Sequence, residues 1–502
     1  MADQAIITLD PKRQIGAIHP RLYGSFLEHL GRAVYGGIYE PDHPQADADG
    51  FRQDVLALVK DLHMPIVRYP GGNFVSGYDW EDGIGPRSQR PRRLDLAWRA
   101  LETNQMGTDE FITWCRKANV EPMLTVNLGS RGLDAARHML EYCNHPGGTY
   151  WSDLRRANGA LQPHNVKVWC LGNEPDGPWQ IGHKTAEEYG RIACETAKVM
   201  KLVDPSVELV VSGSSFMSMP TFGTWETTVL DHTYEHIDYL SLHTYYGDRS
   251  APPRRFLAQS LSMDTFIRAA INICDATKAR KRSKKTVNIS FDEWNVWFQG
   301  EEAGPEPEPW HIGSAHGEGA YTIVDALLFG CMLITLIKHA DRAKIGCQAI
   351  LVNVIGSIMT QDGGPSWRQT TYYPLQHAAR YGQGVALDLD LRCPVYADEE
   401  FDAVPYLESV ATFDEAARRL VVFAVNRNPD APLPLIGDAR AFPGYRVVEH
   451  IVLSHPDPKA ANTLAHPDAV RPSTSGDARL EQGQLTATLP ALSWNVIRLS
   501  AE

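Results

Sequence analysis

Two glutamates stand where apolar, strand-like runs stop. Val168-Trp169-Cys170-Leu171 leads into Gly172-Asn173-Glu174-Pro175, and Ile289-Ser290-Phe291 leads into Asp292-Glu293-Trp294-Asn295. A lone acid at a strand end is ordinarily a solvated or salt-bridged surface group, because Glu is seldom buried. Two acids facing one cavity can do more. One donates a proton to a leaving oxygen, and the other attacks carbon or activates water, the division of labour that glycoside hydrolysis requires. In that chemistry one of the two starts protonated, with a raised pKa, and the other starts ionised. Asn173 offers a hydrogen bond to a sugar hydroxyl, and Trp294 and Trp297 offer an apolar wall or stacking surface.

The elements that position these residues follow from the hydrophobic pattern. Short β-rich runs are expected near 22–26, 66–69, 122–127, 166–171, 208–212, 239–243, 288–291 and 349–354. Between them, stretches such as 51–62, 108–118, 186–202 and 265–276 repeat apolar residues at three and four positions, the period of a helix. Strand-helix alternation of this length predicts an α/β fold, a (β/α)8 TIM barrel, whose active site lies at the C-terminal ends of the strands. The glutamates then belong to strands four and seven. After residue 385 the pattern turns to strands at 405–413, 419–427, 445–454, 484–490 and 493–499, separated by Pro/Gly/Asp-rich turns. The expected division is a catalytic barrel over 19–384, with 1–18 and 385–502 forming an all-β, jelly-roll-like sandwich. The opening run 5–10 should join that sandwich, and 455–482 should be a long loop.

Composition narrows the partners. The 502 residues carry 48 Lys+Arg against 61 Asp+Glu, a formal charge of −13, which disfavours capture of a phosphate backbone. The eight cysteines contain no CxxC pair and read as reduced core thiols of a cytosolic protein. No secretory leader is visible at the N-terminus. The apolar run 326–337 is shorter than the ~20 residues of a membrane span and reads as a buried helix. The basic run 278–285 reads as a solvated connection before strand seven, and 301–310 as a rim loop on the catalytic side. His29, His243, His311 and His316 show no familiar metal-ligand spacing.

Four strings in order give a more specific reading: Tyr23-Gly24-Ser25-Phe26-Leu27-Glu28-His29-Leu30-Gly31-Arg32, Arg68-Tyr69-Pro70-Gly71-Gly72-Asn73-Phe74, Gly172-Asn173-Glu174-Pro175 and Asp292-Glu293-Trp294-Asn295. Together with the β-rich tail they resemble the α-L-arabinofuranosidases of glycoside hydrolase family 51 over essentially the whole chain. The resemblance implies a retaining exo-hydrolase of terminal α-L-arabinofuranosyl groups, with Glu174 as acid/base and Glu293 as nucleophile. It further implies that Glu28, Asn73, Asn173 and Tyr245 hold the furanose or orient the nucleophile, and that Trp98 and Trp179 line the pocket rim. Arg68 and His243 are expected as supporting groups; Glu28 could instead bridge to Arg68.

The chain departs from the family pattern on strand eight, where Ile350 stands at the usual substrate-contacting Gln. Gln348, two residues earlier and so on the same face of a strand, is the candidate replacement. No cofactor or metal is implied. The expected partners are arabinose-containing oligosaccharides, with neither nucleic acid nor membrane, and by family analogy a homo-oligomer, a hexamer of three dimers. Two alternatives stay open: a retaining endo-xylanase or glucanase of the same clan, and a non-catalytic carbohydrate-binding protein with this fold.

Overall fold

The computed structural model describes residues 4–248, 250–298 and 307–501. Eight parallel strands close into a barrel. In chain order they are Gly24–Phe26, Ile66–Tyr69, Glu121–Val126, Val168–Leu171, Glu208–Ser212, Tyr239–Tyr246, Asn288–Val296 and Ala343–Gln348, numbered first to eighth below. Their residues are almost all buried, the pattern of strands covered by helices outside and packed side chains within. The first strand is only three residues long and lies tight against its neighbours: a Cβ at Gly24 would come 2.5 Å from the Ile66 side chain and 2.9 Å from the Gly346 carbonyl.

The expected eighth strand is displaced. Ala343–Gln348 pairs with the first and seventh strands, whereas 349–354 is a buried loop folded over the barrel mouth. Its apolar residues, Ile350, Leu351, Val352 and Val354, are hidden, which is why the segment reads as a strand. Left-handed conformations at Asn353 (φ 61°) and Ile355 (φ 43°) break the extended path, and the Asn295 amide holds the loop by donating to the Ala349 and Ile355 carbonyls.

Beyond the barrel lie two sheets. One has six strands, in the order Gln14–Ala17, Val385–Leu387, Leu407–Asp414, Arg419–Asn426, Ser493–Ala501 and Tyr445–Ser454. The other has five, in the order Asp390–Arg392, Ala5–Thr8, Leu433–Asp438, Gln484–Leu489 and Arg479–Glu481. The opening strand does pair with this C-terminal part, parallel to Leu433–Asp438. That latter strand was not expected, because Pro434 and Gly437 interrupt its pattern. Pro434 lies one residue before the pairing with Ala5–Thr8 begins, so its missing N–H costs nothing on that side. The expected loop 455–482 is irregular apart from Arg479–Glu481.

Strand Arg419–Asn426 shows how barrel and sandwich are joined. Leu420, Val422 and Ala424 enter the core between the two sheets, while Val421, Phe423 and Val425 belong to the core shared with the barrel. Helix Ile323–Lys338, the apolar run expected to be buried, fills the junction; residues 323–337 are all buried. A Cβ on Gly330 would lie 2.6 Å from the Trp494 ring. Among the described residues no helix is long and apolar enough to cross a membrane. The eight cysteines are free thiols, seven of them buried.

Charge is buried at the same junction. Arg427, fully enclosed, donates to Glu408 (2.6 Å) and Ser260 (2.8 Å), and Lys338 from the junction helix donates to the other Glu408 oxygen. Burial pushes the Glu408 pKa up, but Lys338 and Arg427 outweigh it and the net shift is downward. A carboxyl lowered in the folded state contributes stability that is present above its unfolded pKa and lost as pH falls through that range. Glu408→Ala leaves Arg427 buried without its carboxylate and is expected to cost about 3–5 kcal/mol. Thermal unfolding followed from neutral to acid pH should show the difference from wild type narrowing below about pH 4.5.

Candidate active site

The fourth strand ends in a sharp reversal. Gly172 (φ 89°) and Glu174 (φ 42°) both take left-handed conformations; a non-glycine residue held there costs about 1–3 kcal/mol and is kept by its surroundings. The turn brings Asn173 and Glu174 into the barrel mouth, where both are buried.

The seventh strand solves a different problem. Consecutive residues of a regular strand point to opposite faces, yet Asp292 and Glu293 both point inward. A register irregularity between Phe291 and Trp294 against the eighth strand, and another between Ser241 and His243 on the sixth, rotate the chain. Phe291 and Trp294 then face the outer helices, packing on Phe266 and Phe329. The expectation that Trp294 forms a pocket wall is therefore corrected: it is a core residue. Trp297 lies against the Tyr245 ring, 4.9 Å between centroids.

The carboxylates are held by a dense set of bonds. Glu293 accepts from Tyr245 Oη at 2.5 Å and from Arg68 at 3.0 Å, one donor on each oxygen. The other arm of Arg68 donates to Asn173 Oδ1 at 2.6 Å, and Asn173 lies 3.5 Å from Asn73 Oδ1. Glu174 takes His243 Nδ1 at 2.9 Å on one oxygen and Trp179 Nε1 at 2.9 Å on the other. His243 Nδ1 is also 3.6 Å from Glu293, and its Nε2 is 3.3 Å from Asp292. Asp292 lies beneath, accepting from Ser241 and Ser290. An oxygen of Glu174, an oxygen of Glu293 and a ring nitrogen of His243 lie within 4.8 Å of one another. Among the described residues this is the one group close enough to share a metal ion, but Arg68 and His243 already supply positive charge there.

Burial opposes the charge on His243, but Glu293, Asp292 and Glu174 outweigh it and lift its pKa to about 10. Burial likewise pushes Asp292 upward, and His243, Arg68 and Ser241 reverse the shift to a net lowering. Glu174 moves up: burial and the charge of Glu293 exceed the opposing hydrogen bonds from His243 and Trp179. The arrangement is one carboxyl whose pKa burial raises beside another bound by a guanidinium and a phenol. It can deliver a proton and a nucleophile to opposite ends of one bond.

The remaining expected residues divide. Glu28 is in the pocket and accepts from Trp98 Nε1 at 2.7 Å; it makes no bridge to Arg68. Trp98 and Trp179 are partly exposed, and Trp179 is followed by Phe216 and Tyr245 as a chain of neighbouring rings. Gln348 is not available to a ligand. It is fully buried, accepts from Ser25 and donates to the Ile350 carbonyl, so its amide ties down the 349–355 loop. Of the expected rim loop 301–310, residues 301–306 lie outside the described residues; Pro307 and Glu308 border a cleft with Trp98, His311 and His316. The basic run 278–285 ends a helix and bonds outward, Arg280 to Asp231 and Lys281 to the Asp231 carbonyl. Sequence reasoning missed Asp292, Ser241 and Phe216. Two adjacent acids in an apolar strand were the available signal for Asp292.

The amino- and carboxy-terminal halves of the chain match two family models, "Alpha-L-arabinofuranosidase 1 domain" over residues 58–251 and "Alpha-L-arabinofuranosidase C-terminal domain" over 292–493. An intracellular exo-α-(1→5)-L-arabinofuranosidase of Halalkalibacterium halodurans is 58% identical over 495 residues, 99% of each chain. The chain belongs to the α-L-arabinofuranosidases of glycoside hydrolase family 51. An exo-α-(1→6)-L-arabinofuranosidase of Bifidobacterium longum is 47% identical, covering 99% of this chain and 97% of its own. The solved structure of a family 51 α-L-arabinofuranosidase from Bifidobacterium longum superposes with a TM-score of 0.95 at 46% identity, covering 99% of this chain and 100% of that one. This arabinofuranosidase therefore has the TIM barrel and β-sandwich of its family.

The network makes a measurable claim. Asp292→Asn removes one of the charges that hold the proton on His243, so the imidazole pKa should fall from about 10. Titration of the His243 ring resonances by NMR reads this directly, and an unmoved pKa would show that Asp292 plays no part in holding the cation.

Proposed function

We propose that this chain is a retaining, exo-acting α-L-arabinofuranosidase that works by double displacement, with Glu293 as nucleophile and Glu174 as acid/base. The observation that carries the reading is the approach of Glu174 and Glu293 oxygens to within 4.8 Å, in keeping with the roughly 5–5.5 Å carboxyl separation of retaining enzymes and short of the gap an inverting enzyme leaves for water.

In the first step Glu293 attacks the anomeric carbon while Glu174 gives its proton to the departing oxygen. A covalent arabinosyl-enzyme forms and the aglycone leaves. In the second, Glu174 takes a proton from water as the water attacks the same carbon, and Glu293 departs. His243, charged and 2.9 Å from Glu174, stabilises the Glu174 carboxylate between the steps, while burial restores its preference for the acid form. Arg68 and Tyr245 hold Glu293 in place for attack. Trp98, Trp179, Asn73 and Asn173 border the sugar.

The substrates we assign are short arabinan or arabinoxylan oligosaccharides inside the cell. The names of the relatives support exo action and intracellular placement, and the intact carboxyl pair speaks against a purely binding role. The endo-acting alternative has no support among the relatives of high identity. We carry the homo-oligomer over by analogy, with size-exclusion chromatography and light scattering as its check.

The decisive experiment uses an aryl α-L-arabinofuranoside beside aryl pyranosides. Wild type should cleave the furanoside and lose activity on the alkaline side, as Glu174 gives up its proton. Glu293→Ala should fall by at least about 10³-fold and recover with azide, yielding the β-arabinosyl azide. Glu174→Ala with azide should yield the α-azide and lose the alkaline limb. Near-normal turnover by Glu293→Ala would refute the nucleophile assignment; preference for a pyranoside would refute the sugar.

A further inference from the structure

The turn that presents Glu174 needs support from outside its own strand. Glu174 holds a left-handed conformation (φ 42°), which a non-glycine residue keeps only where its surroundings impose it. The two donors to its side chain differ in what they can hold. His243 belongs to the sixth strand, but Trp179 lies on the same loop as Glu174 and is 45% exposed. Within that loop the Gly177 N–H reaches the Glu174 carbonyl at 3.0 Å and the Lys184 N–H reaches the Pro175 carbonyl at 2.8 Å. These bonds close the turn on itself without fixing it to the barrel. Farther along, Gln180 donates to Ser76 and Lys184 Nζ to the Gly129 carbonyl, on the loops after the second and third strands.

On the opposite side the tie is Asp176. It follows Glu174 by two residues, is buried, and turns both carboxylate oxygens to one partner: Oδ1 accepts the Ser215 hydroxyl at 2.5 Å and Oδ2 the Ser215 N–H at 3.0 Å. Ser215 lies on the loop after the fifth strand, and that loop is itself fixed. The Gly213 N–H donates to the Ser241 carbonyl at 3.0 Å, and a Cβ on Gly213 would stand 2.5 Å from that oxygen. The Ser214 N–H donates to the buried Glu226 at 2.7 Å. The next residue is Phe216, whose ring stands 5.8 Å from Trp179 and 6.5 Å from Tyr245, the aromatic partners of Glu174 and Glu293. Asp176 thus joins two loops of the barrel mouth from outside the bonded charge network.

We propose that Asp176 is a positioning residue for the acid: by clasping Ser215 it holds the fourth-strand turn against the fifth-strand loop, so that the Glu174 proton meets the departing oxygen with Phe216 and Trp179 seated beside it. The inference rests on the arabinofuranosidase reading and adds to it a residue that takes part in no bond-making step. Proton transfer requires an approach of about 2.6–3.2 Å, and a misplacement of about 1 Å costs about a hundredfold. The nucleophile is held from elsewhere, by Arg68 and Tyr245. A loosened turn therefore harms proton delivery and spares attack.

The leaving group separates the two effects, because an alkoxide needs the proton of the acid to depart and a dinitrophenolate does not. For Asp176→Ala, kcat/KM, which reports the first displacement, should fall about ten- to hundredfold on methyl α-L-arabinofuranoside and stay within about threefold of wild type on the dinitrophenyl glycoside. Asp176→Asn is the rescue: its carbonyl accepts the Ser215 N–H and its NH2 donates to the Ser215 hydroxyl oxygen, so both substrates should stay within about threefold of wild type. Ser215→Ala keeps the N–H bond and should show the same leaving-group dependence at about three- to tenfold; it decides the matter if circular dichroism shows Asp176→Ala unfolded. Equal losses on the two substrates, or no loss on the methyl glycoside, would overturn the proposal, as would an asparagine variant as impaired as the alanine one. Wild type that cleaves neither arabinofuranoside overturns the functional reading and this inference with it, whereas wild type that cleaves both beside variants without the pattern overturns the inference alone.

Discussion

Everything at the barrel mouth depends on balancing charge where water is scarce. Glu174, Asp292, Glu293, Arg68 and His243 are each at most 6% exposed, and an unmatched buried ion costs several kcal/mol. Arg68 addresses Glu293 with one arm and Asn173 with the other, while His243 lies between Glu174, Glu293 and Asp292. The pairings leave the fourth-strand carboxyl as the group that burial can keep protonated. In the mechanism proposed above the same pairings prepare the seventh-strand carboxylate to attack. On that proposal acid and nucleophile are distinguished by their neighbours, since the two side chains are chemically identical.

That balance requires backbone departures at the strand ends. The register irregularities at Ser241/His243 and Phe291/Trp294 aim Asp292 and Glu293 together, and positive φ at Glu174 presents it from the opposite side. Regular strands would send one of the two adjacent acids into the helical layer, where Phe266 and Phe329 leave no polar partner. The large shared core, with the junction helix covered by barrel on one side and sandwich on the other, supplies the rigidity that holds these conformations.

This explains which features were legible in the amino-acid sequence. The alternation of strands and helices, the apolar junction helix and the β-rich tail are written in periodicity, and the two glutamates are written in the abrupt end of apolar runs. Periodicity failed where burial and extended structure part company: the 349–354 run is apolar because it is a lid of buried loop, and Leu433–Asp438 is a strand despite Pro434 and Gly437. It failed again at Trp294, because a local irregularity reverses the inward and outward faces without leaving a signature in residue type. Gln348 was misread for the same reason as the loop. Its amide is needed to satisfy carbonyls that a continuous strand would have paired. Asp292 acts through contacts with Ser241 and His243 that are made only in three dimensions.

The division between a saturated centre and an open rim bears on how relatives differ. Relatives named for (1→5) and (1→6) linkages are 58% and 47% identical to this chain. The buried groups have little freedom to distinguish linkages: Arg68 joins Glu293 to Asn173, His243 joins Glu174 to Glu293 and Asp292, and a change in one leaves a neighbour unpaired. Linkage concerns the departing sugar, whose hydroxyls lie beyond the acid. On the proposed reading the groups in reach of it are those with exposed surface, Trp179 with the Phe216 ring beside it, Trp297 against Tyr245, and Trp98 with the cleft of Pro307, Glu308 and His311. Packing contacts with aromatic rings tolerate substitution and reorientation far better than a charge network does. On the proposed mechanism, reaction type therefore belongs to the buried centre, and linkage preference to the rim.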